Sequence, residues 1–272
     1  MSLTPSKPSA KAPFITILSD AGMGKTSLAA LFPAPIFIRA EDGMDSIPDE
    51  YKPDAFPPVE KWGDLIKQLT WVATQEHDYL TVVLDSVTAA EQWIIKEVLD
   101  TDTSQKRTGD IVTARGGYGA GMRAVGTYHS RIRAALEACR KRGMTVVALA
   151  HADIEEISPP DSEKYTRFTC RLGKHSLPHY IDNADMVAFL KLHKVIKAKE
   201  NDKAKAQSYG DRILVCYATA ANVSKNRYGI TEDIDLPEGH NPLLGLIPYY
   251  QANGLVEFED SAADQSNESV TA

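Results

Sequence analysis

The chain has 272 residues, 43% of them hydrophobic and 25% charged, with a formal net charge of −7. This suits one sizeable α/β domain and excludes a membrane-spanning architecture, because no apolar run approaches the roughly 20 residues a bilayer requires. Three scattered cysteines, Cys139, Cys170 and Cys216, lack CxxC spacing and read as reduced thiols rather than disulfides or metal ligands. With no signal peptide in the polar stretch Met1–Pro13, a cytoplasmic protein is expected.

In chain order, residues 1–12 read as a disordered tail, 13–253 as one domain, and 254–272 as a disordered acidic tail. Phe14–Leu18 and Pro35–Arg39 read as strands, and Lys61–Gln75 as a helix with Trp62, Leu65, Leu69 and Val72 on one face. Leu80–Leu84 is a fully apolar strand, Ala89–Leu99 and Met122–Arg142 are helices, and Thr145–Ala150 is another buried strand. Asp185–Leu192 and Arg212–Ala218 read as strands around a charged turn, and Asn241–Asn253 as a closing short helix or turn. Alternating strands and helices argue for a mainly parallel sheet covered on both faces. After Arg227 there is no Lys or Arg but nine acidic residues, so the negative charge is concentrated at the C-terminal end.

The most specific signal is Ser19-Asp20-Ala21-Gly22-Met23-Gly24-Lys25-Thr26-Ser27. It follows an apolar strand and opens a helix, the context that a phosphate-binding loop requires. Backbone N–H groups of such a loop wrap the phosphates of a nucleotide, Lys25 reaches the β- and γ-phosphates, and the Thr26 hydroxyl ligates Mg²⁺. Ser19 stands where the pattern has its first glycine, and an altered turn is expected there.

Three strand ends extend the site. Asp85 ends an apolar strand, where open α/β sheets bind ligands, and would hold Mg²⁺ through its water shell. Glu41 follows the second strand and could orient or deprotonate the water that attacks the γ-phosphate. His151 caps Thr145–Ala150 as a polar sensor of that phosphate.

Phosphate loop, strand ending in Glu, strand ending in Asp-Ser and strand ending in a polar sensor together resemble the RecA-type ATPase core. The order is similar in particular to the short RecA-like proteins of bacteriophages that act as recombinases or in single-strand annealing. The resemblance covers about residues 14–230. It implies an α/β fold: a RecA-like P-loop NTPase core, mainly parallel sheet flanked by helices, with a C-terminal β-hairpin extension. Glu41 matches the catalytic glutamate by position. Lys225 and Arg227, in Ala221–Ile230, match basic residues that reach a neighbouring subunit's γ-phosphate.

Two segments carry the chemistry of single-stranded DNA binding, basic side chains with interleaved aromatics. One is Gly-rich, with Lys106, Arg107, Arg115, Tyr118 and Arg123; the other follows the sensor strand, with Lys164, Arg167 and Lys174. The expected function is therefore a DNA-stimulated ATPase using ATP and Mg²⁺ in phage-type recombination, annealing or replication. Its expected partners are single-stranded DNA, further copies in a filament or ring with ATP at subunit interfaces, and a single-strand-binding or replication protein. If phage-encoded, it would work in the host cytoplasm. Two alternatives stand beside it: a nucleotide-gated helicase loader or assembly factor, and a P-loop kinase acting on a small molecule.

Overall fold

The computed structural model describes residues 10–104, 109–197 and 205–255. The apolar run after Ala12 forms β1 (Phe14–Ser19), and α1 (Lys25–Ala30) begins directly after the loop glycines. Next come β2 (Pro35–Arg39), the short β3 (Asp54–Ala55), α2 (Trp62–Thr74), β4 (Thr81–Asp85), α3 (Val87–Asp100) and α4 (Ala120–Lys141). The second half holds β5 (Thr145–Ile157), β6 (Tyr165–Cys170), β7 (Met186–Lys197), β8 (Lys205–Val215), β9 (Lys225–Asn226), β10 (Ile234–Leu236), α5 (Leu243–Leu246) and α6 (Pro248–Ala252).

Parallel strands run in the spatial order β3-β2-β4-β5-β1-β7. β8 and β10 extend this sheet antiparallel beyond β7, β6 folds back on β5, and β9 pairs with the start of β7. The architecture is the expected one: α/β, mainly parallel, flanked by helices, with an antiparallel β7–β8 pair toward the C-terminus. Parallel strands need cover on both faces, and residue alternation supplies it. Phe14, Leu18, Ile38, Leu84 and Val146 join the core beneath α2, α3 and α4, whereas Ile15, Ile17, Phe37, Val83 and Val147 join the core with α1, α5 and α6. In α2, Trp62, Leu65, Leu69 and Val72 are the buried residues, the face its spacing indicates. Among the described residues no helix is long and apolar enough to cross a membrane.

One segment corrects the sequence reading. The strand through His151 does not stop at Ala150 but continues to Ile157, and β6 returns beside it, with Ala152 opposite Cys170 and Ile157 opposite Tyr165. Residues 154–174, read as a loop, are thus mostly a hairpin. Its outer half has no buried face (Ile154 is 63% exposed). Cross-strand pairing holds it together, leaving no apolar pattern to read. The terminal tails lie largely outside the described residues.

At the edge of the sheet where β1 begins, Asp185 is buried at 4% exposure. One of its oxygens accepts the Phe14 N–H at 3.0 Å and Arg140 Nη2 at 2.5 Å, and the other faces Arg227 Nη1 at 3.2 Å. A single carboxylate therefore ties the start of β1 to the end of α4 and to the segment after β9. Asp185→Ala strands a partly buried guanidinium and a backbone donor, and should destabilise the protein by about 3–5 kcal/mol. Denaturant unfolding checks this; a loss below about 1 kcal/mol would mean that water replaces the carboxylate.

Candidate functional site

Gly22 and Gly24 have φ of 74° and 93°, the left-handed region that a Cβ penalises. They bend the chain between β1 and α1, and Gly24 is the N-cap of α1. Ser19 is not among the positive-φ residues. It remains the last residue of β1, in register with His151, so this turn does not require glycine. The expected distortion at Ser19 is absent, and its hydroxyl has a local task. Lys25 Nζ, in a side chain only 5% exposed, donates to Ser19 Oγ at 3.1 Å, Ser19 O at 3.3 Å and Asp20 O at 3.0 Å. Burial lowers the Lys25 pKa, while Asp85, Glu41 and Asp20 pull it back up and Arg171 adds to the lowering. The ammonium is thus folded onto the loop's own oxygens, held by weak acceptors that phosphate oxygens can replace.

β4 delivers Asp85 to the same edge. Thr26 Oγ1 donates to Asp85 Oδ2 at 2.8 Å. Asp85 is 2% exposed, and its Oδ1 is buried without a hydrogen-bond partner among the described residues. Burial pushes the carboxyl up to about 6; the Thr26 hydrogen bond and Lys25 oppose this, and Glu41 adds to it. An orphaned buried oxygen beside a threonine hydroxyl, next to a phosphate loop, fits Mg²⁺, which takes one or two protein oxygens and completes its shell with phosphate and water.

β2 and β4 are zipped past their ends, because the N–H groups of Ala40 and Glu41 both donate to Asp85 O, at 2.7 and 3.1 Å. This turn carries Glu41 into the crevice. Its two carboxylate oxygens each lie 3.1 Å from His151 Nε2. The His151 backbone N–H donates to Thr88 Oγ1 at 3.0 Å, and the Arg171 N–H donates to the His151 carbonyl at 2.9 Å. Lys25, Thr26, Glu41, Asp85 and His151, read separately from sequence, therefore form one cluster at the carboxyl ends of β1, β2 and β4 and beside the middle of β5. The Glu41–His151 contact could not be read from sequence, since 110 residues separate the pair.

Lys225 and Arg227 are not part of that cluster. β9 pairs Lys225 with Val187 and Asn226 with Met186, the residue level with Ile15 near the start of β1. Lys225 Nζ donates to Asp182 O at 2.7 Å, and Arg227 faces Asp185 with its side chain 66% exposed. Five residues of β1 separate this edge from Ser19, roughly 16 Å at strand rise. Neither cation reaches its own phosphate loop.

The DNA candidates divide. Tyr118 is 98% exposed and has φ of 50°. Arg123 Nη1 donates to the Tyr118 carbonyl at 2.8 Å, Arg115 Nη2 donates to Thr101 Oγ1 at 2.8 Å, and Lys174 is exposed. Lys106 and Arg107 lie outside the described residues. Lys164 and Arg167 are paired across the hairpin with Glu156 at 2.9 Å and Glu155 at 2.7 Å, because antiparallel pairing sets Arg167 opposite Glu155.

Two site residues went unread. Thr88 belongs to no motif. Arg212, on β8, lies against Gly24, where a Cβ would overlap its Nη1. Beside it a cleft of about 420 Å³ runs along α1, lined by Ser27, Leu31, Tyr51, Arg212, Gly239 and His240 among others. This is space for a nucleoside next to the phosphate loop.

The Asp85 geometry fixes a pH response of the nucleotide- and metal-free protein. The folded state holds the Asp85 proton more tightly than the unfolded chain does. Its contribution to stability is full below the ordinary aspartate pKa and is lost as pH rises through about 6. Asp85→Asn should therefore be roughly 2–3 kcal/mol more stable than wild type at about pH 7.5 and should lose that advantage near pH ~4. Urea unfolding at the two pH values checks this, and equal stability at the higher pH would mean that water reaches the carboxylate.

Residues 11–228 match the AAA domain family. No curated protein matches the chain. Among solved structures, a KaiC-like protein from the hyperthermophilic archaeon Pyrococcus horikoshii OT3 is similar over 85% of this chain and 88% of that one, with 11% sequence identity and a TM-score of 0.43. The family match spans the phosphate loop, the acidic strand ends and the basic residues Lys225 and Arg227, and the chain belongs to the AAA domain family of P-loop ATPases.

Proposed function

We propose that this protein is an ATP- and Mg²⁺-dependent RecA-like ATPase that assembles on single-stranded DNA, in a filament or ring with ATP between subunits. It serves phage-type recombination, annealing or replication. The separation of its cations supports this reading: Lys225 and the mostly exposed Arg227 sit at the edge of the sheet opposite the phosphate loop, too far from their own nucleotide to meet it.

In this reading the β- and γ-phosphates replace the Ser19 and Asp20 oxygens on Lys25. Thr26 and Asp85 would hold Mg²⁺, which would supply charge neutralisation at the phosphates. Glu41 orients the attacking water and takes its proton, while the His151 imidazole fixes the direction of the carboxylate. Lys225 and Arg227 of the next subunit meet the negative charge that develops on the γ-phosphate. Tyr118, projecting beside Arg115 and Arg123, offers a stacking surface for bases, and Lys174 together with Lys106 and Arg107 adds phosphate contacts. Lys164 and Arg167 add cations on the hairpin, where DNA phosphates would compete with Glu156 and Glu155 for them.

Two variants separate binding from chemistry. Lys25→Ala should lose most ATP binding, whereas Glu41→Gln should bind ATP near wild-type affinity and hydrolyse it about 10²–10⁴-fold more slowly. A Glu41→Gln enzyme that turns over normally removes Glu41 from the proton transfer.

The intersubunit reading is tested by mixing Arg227→Ala with Lys25→Ala on single-stranded oligonucleotides. Each variant alone has every shared site broken, but a mixed assembly contains interfaces with an intact loop on one side and an intact Arg227 on the other. ATP turnover should exceed the sum of the separate activities, and assembly should weaken as salt is raised. No recovery in mixtures shown to co-assemble would count against the shared site; salt-independent association would count against DNA.

A further inference from the structure

Arg212 is a half-buried cation without a partner among the described residues. β8 runs antiparallel to β7 and sets Arg212 opposite Leu192, three residues beyond Phe189, which is level with Leu18. The residue therefore emerges about 10 Å past the end of that pairing, beside the phosphate loop. Its guanidinium lies on Gly24: a Cβ there would overlap Nη1 and come within 3.5 Å of Cζ. Every other half-buried arginine is engaged. Arg39 donates to Phe56 O, Arg133 meets Glu137, Arg140 meets Asp185 and Arg167 meets Glu155. Arg212 makes no side-chain hydrogen bond and no ion pair among the described residues, although Glu50 and Glu238 line the same cleft. A guanidinium has five N–H donors, and withdrawing it from water without acceptors is unfavourable. The arrangement suits an anion that arrives from outside the chain, and the fork geometry suits phosphate.

We infer that Arg212 contacts the α,β-phosphate portion of the bound nucleotide from within the same chain, on the side of the loop facing the cleft, as a second cation beside Lys25. This rests on the nucleotide-binding reading of the phosphate loop. It assigns a reason for glycine at position 24 beyond backbone conformation: a side chain there would displace the arginine. It also makes nucleotide capture within one subunit independent of the cations at the far edge. Nucleoside diphosphates and triphosphates gain from the contact, whereas a nucleoside without phosphate does not.

Calorimetric titration of the full chain with ADP and with adenosine tests this, without DNA, on wild type, Arg212→Ala, Arg212→Gln, Arg212→Lys and Lys25→Ala. Arg212→Ala and Arg212→Gln should bind ADP about 10- to 100-fold more weakly, with adenosine binding unchanged and a shallower salt dependence. Arg212→Lys should recover part of the loss, because it keeps the charge but not the fork. Arg212→Gln, of similar length, keeps the test valid if the alanine variant misfolds in a thermal melt. ADP affinity within twofold of wild type in the folded Arg212→Gln protein, with binding lost in Lys25→Ala, overturns the inference and leaves the phosphate loop standing. Normal ADP binding by Lys25→Ala as well overturns both.

Discussion

The site is organised around a carboxylate kept almost dry. Asp85 ends a strand whose five residues are all buried, so its side chain leaves the sheet where water is already excluded. Thr26 satisfies one oxygen and nothing among the described residues satisfies the other. An unpaired buried acceptor is unfavourable, and folded proteins tolerate one chiefly where a ligand will complete it. The same dry surroundings raise its proton affinity and strengthen its coupling to Lys25 and Glu41. Stability is conceded at this carboxylate, and the large two-faced core around it offsets the concession.

Backbone pairing does most of the positioning. The Asp85 carbonyl accepts two N–H groups from the turn after β2, so Glu41 cannot move without breaking the strand-end zipper. β5 carries His151 between the phosphate loop and that turn, then continues without interruption into the hairpin with β6. The Arg171 N–H returns from β6 to the His151 carbonyl, and the Gly173 N–H bonds the Glu91 carboxylate at 3.1 and 3.2 Å. Although burial opposes it, the His129 imidazole 3.6 Å away and the Gly173 N–H hold the Glu91 carboxyl below its usual range. The phosphate-facing edge and the projecting hairpin thus share one continuous strand and a buried polar anchor.

Opposite edges of the sheet have opposite chemistry. The carboxyl-terminal edge holds the phosphate loop, Glu41 and Asp85. The amino-terminal edge gathers Arg133, Arg140, Lys225 and Arg227 around Asp185 and Glu137. Arg140 is largely satisfied there, whereas Arg227 remains mostly exposed and shares Asp185 through the oxygen that Arg140 leaves open. A parallel sheet generates this polarity on its own, since every β1-type strand begins at one edge and ends at the other.

Much of this was legible in the amino-acid order. The phosphate loop, the buried strands with alternating two-faced cores, the apolar face of α2 and the acidic strand ends all follow from local spacing. Glycine positions, side-chain period and strand-end polarity are properties of contiguous residues. Tertiary structure alone decided the rest. It placed Glu41 against His151, set Ser19 in an ordinary strand conformation with its hydroxyl on Lys25, and paired Lys164 and Arg167 with glutamates through hairpin register. It carried Lys225 and Arg227 to the far edge, and it laid an unannounced arginine from β8 over Gly24. Each of these depends on which strands become neighbours and in what register, a choice made by the packing of the whole sheet and not encoded in any short run of residues.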